Sequence, residues 1–143
     1  MYPVGMKQTL AILVVAILPL LAWAQGGKEP AAVDYQDPAR LAALIDAGGG
    51  ADAVAYYLVD VRSADEYAGG HLSTALNIPH TEIGSRPPTT DKDALVIVYC
   101  RSGARSTAAK KTLDEMGYTR VVNFGPVSRW TGELVTGVEP TAQ

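Results

Sequence analysis

The segment LVIVYCRSGARSTAAKK, residues 95–111, carries the clearest information about the fold of this chain. Its first five residues are apolar and rich in β-branched side chains, which predicts a buried strand, and the residues after Gly103 predict a helix. Cys100 is therefore expected at the carboxyl end of a strand, at the entrance to a loop that opens a helix. Ligands bind at this edge of α/β sheets, so we interpret the loop as a binding site.

The loop that follows Cys100 has the composition of an anion-binding cradle around a nucleophile. Backbone amides at the start of a helix are free to face one point, and the helix adds positive potential there. Gly103 permits torsions that let successive amides point inward, and arginines offer planar forks for oxyanions. A helix N-terminus and nearby arginines lower the pKa of a cysteine thiol. The sequence thus predicts a nucleophilic Cys100 and a substrate-binding loop made of Arg101, Ser102, Gly103, Ala104, Arg105 and Ser106.

Cys100 is the single cysteine of the chain. Exported domains that use cysteines structurally carry them in pairs, so an odd one suggests a reactive thiol or an intermolecular bridge. The alternative is a buried filler, because a free cysteine behaves as a small hydrophobe. An exposed residue in an ion pair is likewise the plain alternative for each arginine, but two arginines flanking one cysteine favour anion binding.

Helices alternate with short apolar strands along the rest of the chain. Asp37-Pro38 predicts a helix start, Ser63 to Glu66 has the spacing of a capping box, and Gly117 is placed to end the helix after the loop. Further elements are predicted at Tyr56–Val61, Ala75–Ile78 and Arg120–Phe124 (strands) and around Trp130 (a helical turn). This alternation indicates an α/β domain with a mainly parallel sheet and helices on both faces.

The first residues have the pattern of a secretory signal peptide. Lys7 precedes an apolar run from Leu10 to Leu21, and Ala22-Trp23-Ala24 supplies small residues at the cleavage spacing. The alternative is a membrane anchor, but a spanning helix needs about 20 apolar residues and this run is shorter. We therefore expect a signal peptide over residues 1–24, a flexible lead-in over 25–36 and one domain over 37–140, exported to a compartment such as the bacterial periplasm.

Charge and composition exclude some partners. The chain has a net charge of −3 and no basic stripe, which argues against nucleic acid. His71 and His80 lack the grouping with cysteines or carboxylates that zinc requires, so neither a metal nor another cofactor is expected. We expect a monomer without stable membrane association after cleavage of the leader.

A set of short motifs runs from about Ala39 to Trp130. They are Val59-Asp60-Val61-Arg62, Glu66-Tyr67, Gly70-His71, Asn77-Ile78-Pro79, the loop CRSGARS, Gly117-Tyr118 and Trp130. Together they resemble the single-domain rhodanese (thiosulfate sulfurtransferase) family. The resemblance implies a rhodanese-like, five-stranded α/β sheet. It also implies that Cys100 takes the outer sulfur of thiosulfate, or of a similar small anionic donor, as a persulfide and passes it to cyanide or a thiol.

Residues outside the loop have supporting roles in this interpretation. Asp60 is expected to organise the neighbouring loop through hydrogen bonds and a pair with Arg62, and Glu66 to cap a helix. His71 is expected to be a hydrogen-bonded structural residue, since a thiolate that is already ionised needs no general base. Trp130 is expected to pack in the core, where it could form one wall of the site.

Three other functions remain open at this point. The domain could hold a persulfide for a partner protein and turn over poorly, or it could be a relic with an inert cysteine. It could also be a phosphatase or arsenate-type reductase, because a class of phosphatases shares the fold. Those enzymes place five residues between cysteine and arginine, whereas four separate Cys100 from Arg105, and Tyr99 replaces their histidine.

Pro126, where the family usually has a Gly-Gly pair, is expected to alter the loop near the cradle.

Overall fold

Four parallel strands form the sheet of the computed structural model, which describes residues 33–48 and 54–138. They are β1 (Tyr56–Asp60), β2 (Leu76–Asn77), β3 (Leu95–Cys100) and β4 (Arg120–Pro126). The strand order is β2-β1-β3-β4, and every neighbouring pair is parallel. Asp60 pairs with Tyr99, and Cys100 pairs with Pro126. The carboxyl ends of β1, β3 and β4 therefore meet at one edge of the sheet, and Cys100 lies at this edge, as predicted.

Three α-helices and one 3₁₀ turn accompany these strands in the described ranges. They are α1 (Pro38–Asp46), α2 (Ala64–Gly69), α3 (Ala104–Glu115) and the turn Val127–Arg129. Asp37 caps α1, since its carboxylate accepts the amides of Ala39 and Arg40 at 2.8 and 3.0 Å. Ser63 and Glu66 form the predicted capping box of α2. The predicted helix starts are confirmed, while the last helical turn precedes Trp130 and does not contain it.

The helices cover both faces of the sheet. On one face α1 and α2 pack on the side chains of Leu58, Ile97 and Tyr99, and on the other α3 packs on those of Val59, Val96 and Val98. Because successive strand residues point to opposite faces, a strand buried on both sides reads as a continuous apolar run. All six residues of β3 are buried. The α/β class and its covered parallel sheet are confirmed.

The fifth strand implied by the resemblance is not found in the described part of the chain. Outside the four strands, His71 and Val135 form an isolated antiparallel bridge with two backbone hydrogen bonds of 2.9 Å. The chain then leaves this bridge, because the Gly137 amide donates to the Ala68 carbonyl at the end of α2. A single bridging pair does not extend into a strand.

The predicted leader, residues 1–24, lies outside the described residues, as does most of the lead-in. Of the lead-in, Tyr35 is buried in the core with α1, and the Gln36 carbonyl accepts a 2.8 Å hydrogen bond from Arg129. The chain is thus anchored to the domain from Tyr35 onwards. In the ranges that the structure describes, no helix has the length and apolar character needed to cross a membrane.

Candidate active site

Cys100 is the last residue of β3, and its side chain lies beneath the loop that follows. The Gly103 amide donates to Cys100 Sγ at 2.9 Å, and Ser106 Oγ lies 3.4 Å from the same sulfur. Cys100 has no exposed surface. Three of the predicted residues are therefore brought together around one sulfur atom.

The contacts of Cys100 change its acidity. Burial by itself raises the pKa of the thiol, but the side-chain hydrogen bond with Ser106 and the backbone amides of Ser106, Gly103 and Ser102 outweigh it. The net result is a pKa below the ordinary value of 9.0. The thiolate is thus favoured by donors built into the loop, as the sequence predicts for a nucleophile.

The shape of the loop depends on Gly103. Gly103 has φ +97° and ψ −19°, a left-handed conformation that side-chain-bearing residues avoid. Its carbonyl accepts from Ser106 Oγ at 3.0 Å and from Thr107 Oγ1 at 2.8 Å, which fixes the first turn of α3. Asn123 of β4 holds Thr107 in place, with Nδ2 donating to Oγ1 at 3.0 Å. This turn aims the Gly103 amide at Cys100.

Pro126 lies beside the cradle. A Cβ on Gly103 would lie 3.7 Å from Pro126 Cδ, which is ordinary contact. A β-bulge just before this point shifts the pairing, so that Val98 pairs with Asn123 but Tyr99 with Gly125. Phe124 is therefore the extra residue of β4. β4 thereby extends past the predicted Phe124 to Pro126 and flanks the loop.

The two loop arginines are placed differently. Arg101 is exposed, together with Ser102 and Ala104. Arg105 instead binds Glu66 with both terminal nitrogens, Nη1 to Oε2 at 2.7 Å and Nη2 to Oε1 at 2.9 Å. The hydrogen bonds from Arg105 lower the pKa of Glu66 to about 2. Sequence reasoning found the capping role of Glu66 but missed this partnership, which joins residues 39 positions apart.

Asp60 and Arg62 form a buried pair at the carboxyl end of β1. Arg62 Nε lies 2.9 and 3.0 Å from the two Asp60 carboxylate oxygens, and Nη2 lies 2.5 Å from Oδ2. Arg62 Nη2 also donates to the Gly70 carbonyl at 2.6 Å. Asn77 donates to the carbonyls of Asp60 and Arg62, each at 3.1 Å. These contacts organise the loop between β1 and β2, the role proposed from the sequence.

His71 and Trp130 lie on the α1 and α2 side of the domain. His71 is buried, its Nδ1 lies 2.8 Å from the Tyr67 carbonyl oxygen, and its ring stacks on the Tyr67 ring at 3.6 Å. Trp130 is half-buried against the core cluster that contains α1, with Nε1 donating to the Glu133 carbonyl. Cys100 belongs to the cluster on the other face. Both residues therefore have packing contacts and none to the sulfur among the described hydrogen bonds.

Tyr99, which precedes Cys100, supports the same loop. Its hydroxyl accepts from the Leu72 amide at 3.0 Å, and burial followed by the Asp60 charge raises the pKa of the phenol. Among the described residues, no three histidine, cysteine or carboxylate side chains are grouped as metal ligands. The site thus consists of one buried thiol that contacts the Gly103 amide and the Ser106 hydroxyl.

Comparisons with known proteins agree with this geometry. Residues 37–132 match the family model of the rhodanese-like domain. The thiosulfate sulfurtransferase PspE of Escherichia coli is 44% identical over 73 residues, which cover 50% of this chain and 70% of that protein. A sulfurtransferase of Allochromatium vinosum is 42% identical over 91 residues, covering 63% and 85%.

Solved structures show the same likeness. A rhodanese with anions from E. coli superposes with a TM-score of 0.55 at 39% identity, covering 58% of this chain and all of that one. The human single-domain sulfurtransferase TSTD1 gives a TM-score of 0.55 at 27% identity, covering 64% and 89%. With its parallel sheet, its cysteine at the end of β3 and a family match over residues 37–132, the chain belongs to the rhodanese-like domain family.

Proposed function

We propose that the protein is a sulfurtransferase that moves a sulfane sulfur from thiosulfate, or a similar small anionic donor, to cyanide or a thiol. The observation behind the proposal is the 2.9 Å hydrogen bond from the Gly103 amide to Cys100 Sγ, with Ser106 Oγ at 3.4 Å. The E. coli and A. vinosum relatives are both named as sulfurtransferases. Their names support the reaction class.

In the first step the Cys100 thiolate attacks the outer sulfur of thiosulfate. A new S–S bond forms to Cys100, the S–S bond of thiosulfate breaks, and its electron pair leaves with sulfite. The enzyme then carries a Cys100 persulfide with one negative charge. Preorganised donors such as the loop amides stabilise charge where it develops, at the sulfur that is being transferred.

In the second step cyanide or a thiolate attacks the outer sulfur of the persulfide. The bond between the two sulfurs breaks, its electron pair returns to Cys100 Sγ, and thiocyanate or a new persulfide leaves. The lowered pKa of Cys100 makes its thiolate both the nucleophile of the first step and a good leaving group in the second. No general base is needed in either step.

The test combines intact mass and turnover. Thiosulfate is expected to add one sulfur mass to the wild-type protein, and thiocyanate is expected to accumulate when cyanide is added. Cys100→Ser should lose both. Loading without turnover would instead indicate a persulfide carrier, and absence of loading in the folded wild type would contradict sulfur transfer.

A phosphatase or arsenate-type activity is the competing chemistry. Four residues between Cys100 and Arg105 make a ring that is narrow for a tetrahedral phosphate, and Arg105 is bound by Glu66. Hydrolysis of an aryl phosphate by the wild type, lost in Cys100→Ser, would favour this competitor and count against sulfur transfer.

We further propose that the protein is exported and that the leader is cleaved after Ala24. Support comes from the sequence pattern of residues 1–24. Expression in a bacterium followed by fractionation and intact mass tests it. A periplasmic protein that begins at Gln25 is expected, and a cytoplasmic full-length chain would refute it.

A further inference from the structure

The Glu66–Arg105 contact is the one ion pair of the described residues that joins two helices. Glu66 lies in the first turn of α2 and Arg105 in the first turn of α3. α2 packs on one face of the sheet and α3 on the other. The pair therefore crosses the carboxyl edge of the sheet, next to the loop that holds Cys100.

Glu66 binds both terminal nitrogens of Arg105. Each terminal nitrogen of the guanidinium meets its own carboxylate oxygen, at 2.7 and 2.9 Å, which is the strong bidentate arrangement. The carboxylate is itself fixed, since its Oε2 accepts from Ser63 N and Ser63 Oγ, both at 3.1 Å. An anion that approached the same edge of the guanidinium would have to compete with this carboxylate.

The pair also lies within electrostatic reach of the reacting sulfur. The pKa of Arg105 is raised first by its hydrogen bond with Glu66, and the charge of Cys100 adds to this increase. Arg105 and Cys100 therefore interact electrostatically. Glu66 adds a negative charge that offsets the guanidinium at the same place. Arg101, on the exposed side of the loop, has no ion pair among the described residues.

Building on the proposed sulfur-transfer function, we propose that Glu66 is a specificity-determining residue that sets the anion affinity of the cradle. It neutralises Arg105 and holds its guanidinium away from a bound anion, so that Arg101 and the loop amides alone meet the donor. A cradle of this limited positive charge holds thiosulfate loosely, lets the sulfite product leave, and discriminates against compact dianions such as phosphate and arsenate.

Three variants test the proposal, because they are expected to change the KM for thiosulfate in different directions. Glu66→Gln keeps a residue that can complete the capping box and leaves the charge of Arg105 uncompensated. Arg105→Gln leaves the charge of Glu66 uncompensated, and the double variant removes both charges. Asp114→Asn is the matched control, because it breaks an exposed ion pair with Lys110 at the far end of the same helix.

In the Glu66→Gln variant the KM for thiosulfate is expected to fall about two- to fivefold, the effect of a partly exposed ion pair. Inhibition by phosphate should tighten by a larger factor than the KM for thiosulfate falls, because the discrimination against compact dianions is lost. Arg105→Gln should raise the KM, the double variant should return towards wild type, and Asp114→Asn should change nothing. An unchanged or raised KM in Glu66→Gln would overturn the proposal and make the pair a structural clamp.

The pH dependence of Cys100 alkylation by iodoacetamide, followed by mass, gives a readout that does not require sulfur transfer. Glu66→Gln is expected to move the profile to lower pH and Arg105→Gln to higher pH. If the wild type fails to load sulfur, the proposed function is contradicted. Opposite shifts of the two alkylation profiles would still show that Glu66 controls the charge near Cys100. If the wild type loads sulfur but the alkylation profiles of Glu66→Gln and Arg105→Gln do not shift, the proposed role of Glu66 is contradicted and the proposed function is not.

Discussion

Replacing Gly103 by Ala tests whether the loop amide controls the reactivity of Cys100. At φ +97° an alanine costs about 1–2 kcal/mol, because its Cβ approaches the following carbonyl. Crowding adds nothing, since the nearest atom to that Cβ is Pro126 Cδ at 3.7 Å. The backbone is expected to relieve the strain by rotating, which turns the Gly103 amide away from Cys100 Sγ.

The loss of that hydrogen bond has a calculable effect on the thiolate. A hydrogen bond to a charged group contributes about 1.5–3 kcal/mol. Losing this bond raises the pKa of Cys100, so a smaller fraction of the thiol is ionised at any pH below the pKa. A more basic thiolate is also more nucleophilic, which offsets just under half of the decrease in rate on a logarithmic scale. At a pH below the folded pKa of Cys100, the rate of alkylation by iodoacetamide should decrease roughly four- to fifteenfold.

Gly117→Ala is the matched control. Gly117 has φ +90° at the end of α3, and a Cβ there would meet no atom within 4 Å. Both variants should lose about 1–2 kcal/mol of unfolding free energy, or roughly 4–8 °C in melting temperature per kcal/mol. Only Gly103→Ala should slow alkylation and thiocyanate release. Equal loss of reactivity in both variants, or full reactivity in a destabilised Gly103→Ala, would refute the role of the amide.

Three further results are expected from the contacts of the site. Arg62→Met should destabilise the domain by about 3–5 kcal/mol in urea unfolding, because it leaves the buried Asp60 carboxylate without its partner; a loss under 1 kcal/mol would contradict this. The lowered pKa of Glu66 means that its pair with Arg105 stabilises the fold above pH 4.5 and that this stabilisation disappears as the pH falls towards 2. Acid unfolding of Glu66→Gln should lack that contribution, about 0.2–1 kcal/mol, and a curve identical to wild type would exclude it. Because the pKa of Cys100 is lowered in the fold, ionisation of Cys100 stabilises the fold fully above pH 9.0, and this stabilisation is lost as the pH falls through the folded pKa. The free energy of unfolding of the wild type, relative to that of Cys100→Ser, should therefore grow from neutral to alkaline pH. A difference that does not depend on pH would refute the lowered pKa.

Local patterns predicted most of the fold because local physics governs them. Asp37 and Ser63 act as helix caps through bonds to amides two or three residues away, so their roles can be inferred without knowing the rest of the molecule. The buried run of β3 and the left-handed Gly103 are likewise properties of a few consecutive residues. The number of strands does not follow from such local patterns. The resemblance to the rhodanese family implied five strands, and four are found in the described ranges.

Local sequence is enough to predict a lone thiol between a buried strand and a helix, because the strand, the glycine and the hydroxyl-bearing first turn are contiguous in the chain. The contacts of the two loop arginines, in contrast, could be seen only in the folded domain. Arg105 meets Glu66, 39 residues earlier, because parallel neighbours β1 and β3 bring the starts of α2 and α3 to one edge of the sheet. Such a pairing depends on how strands are ordered in space, a property that no short stretch of sequence contains.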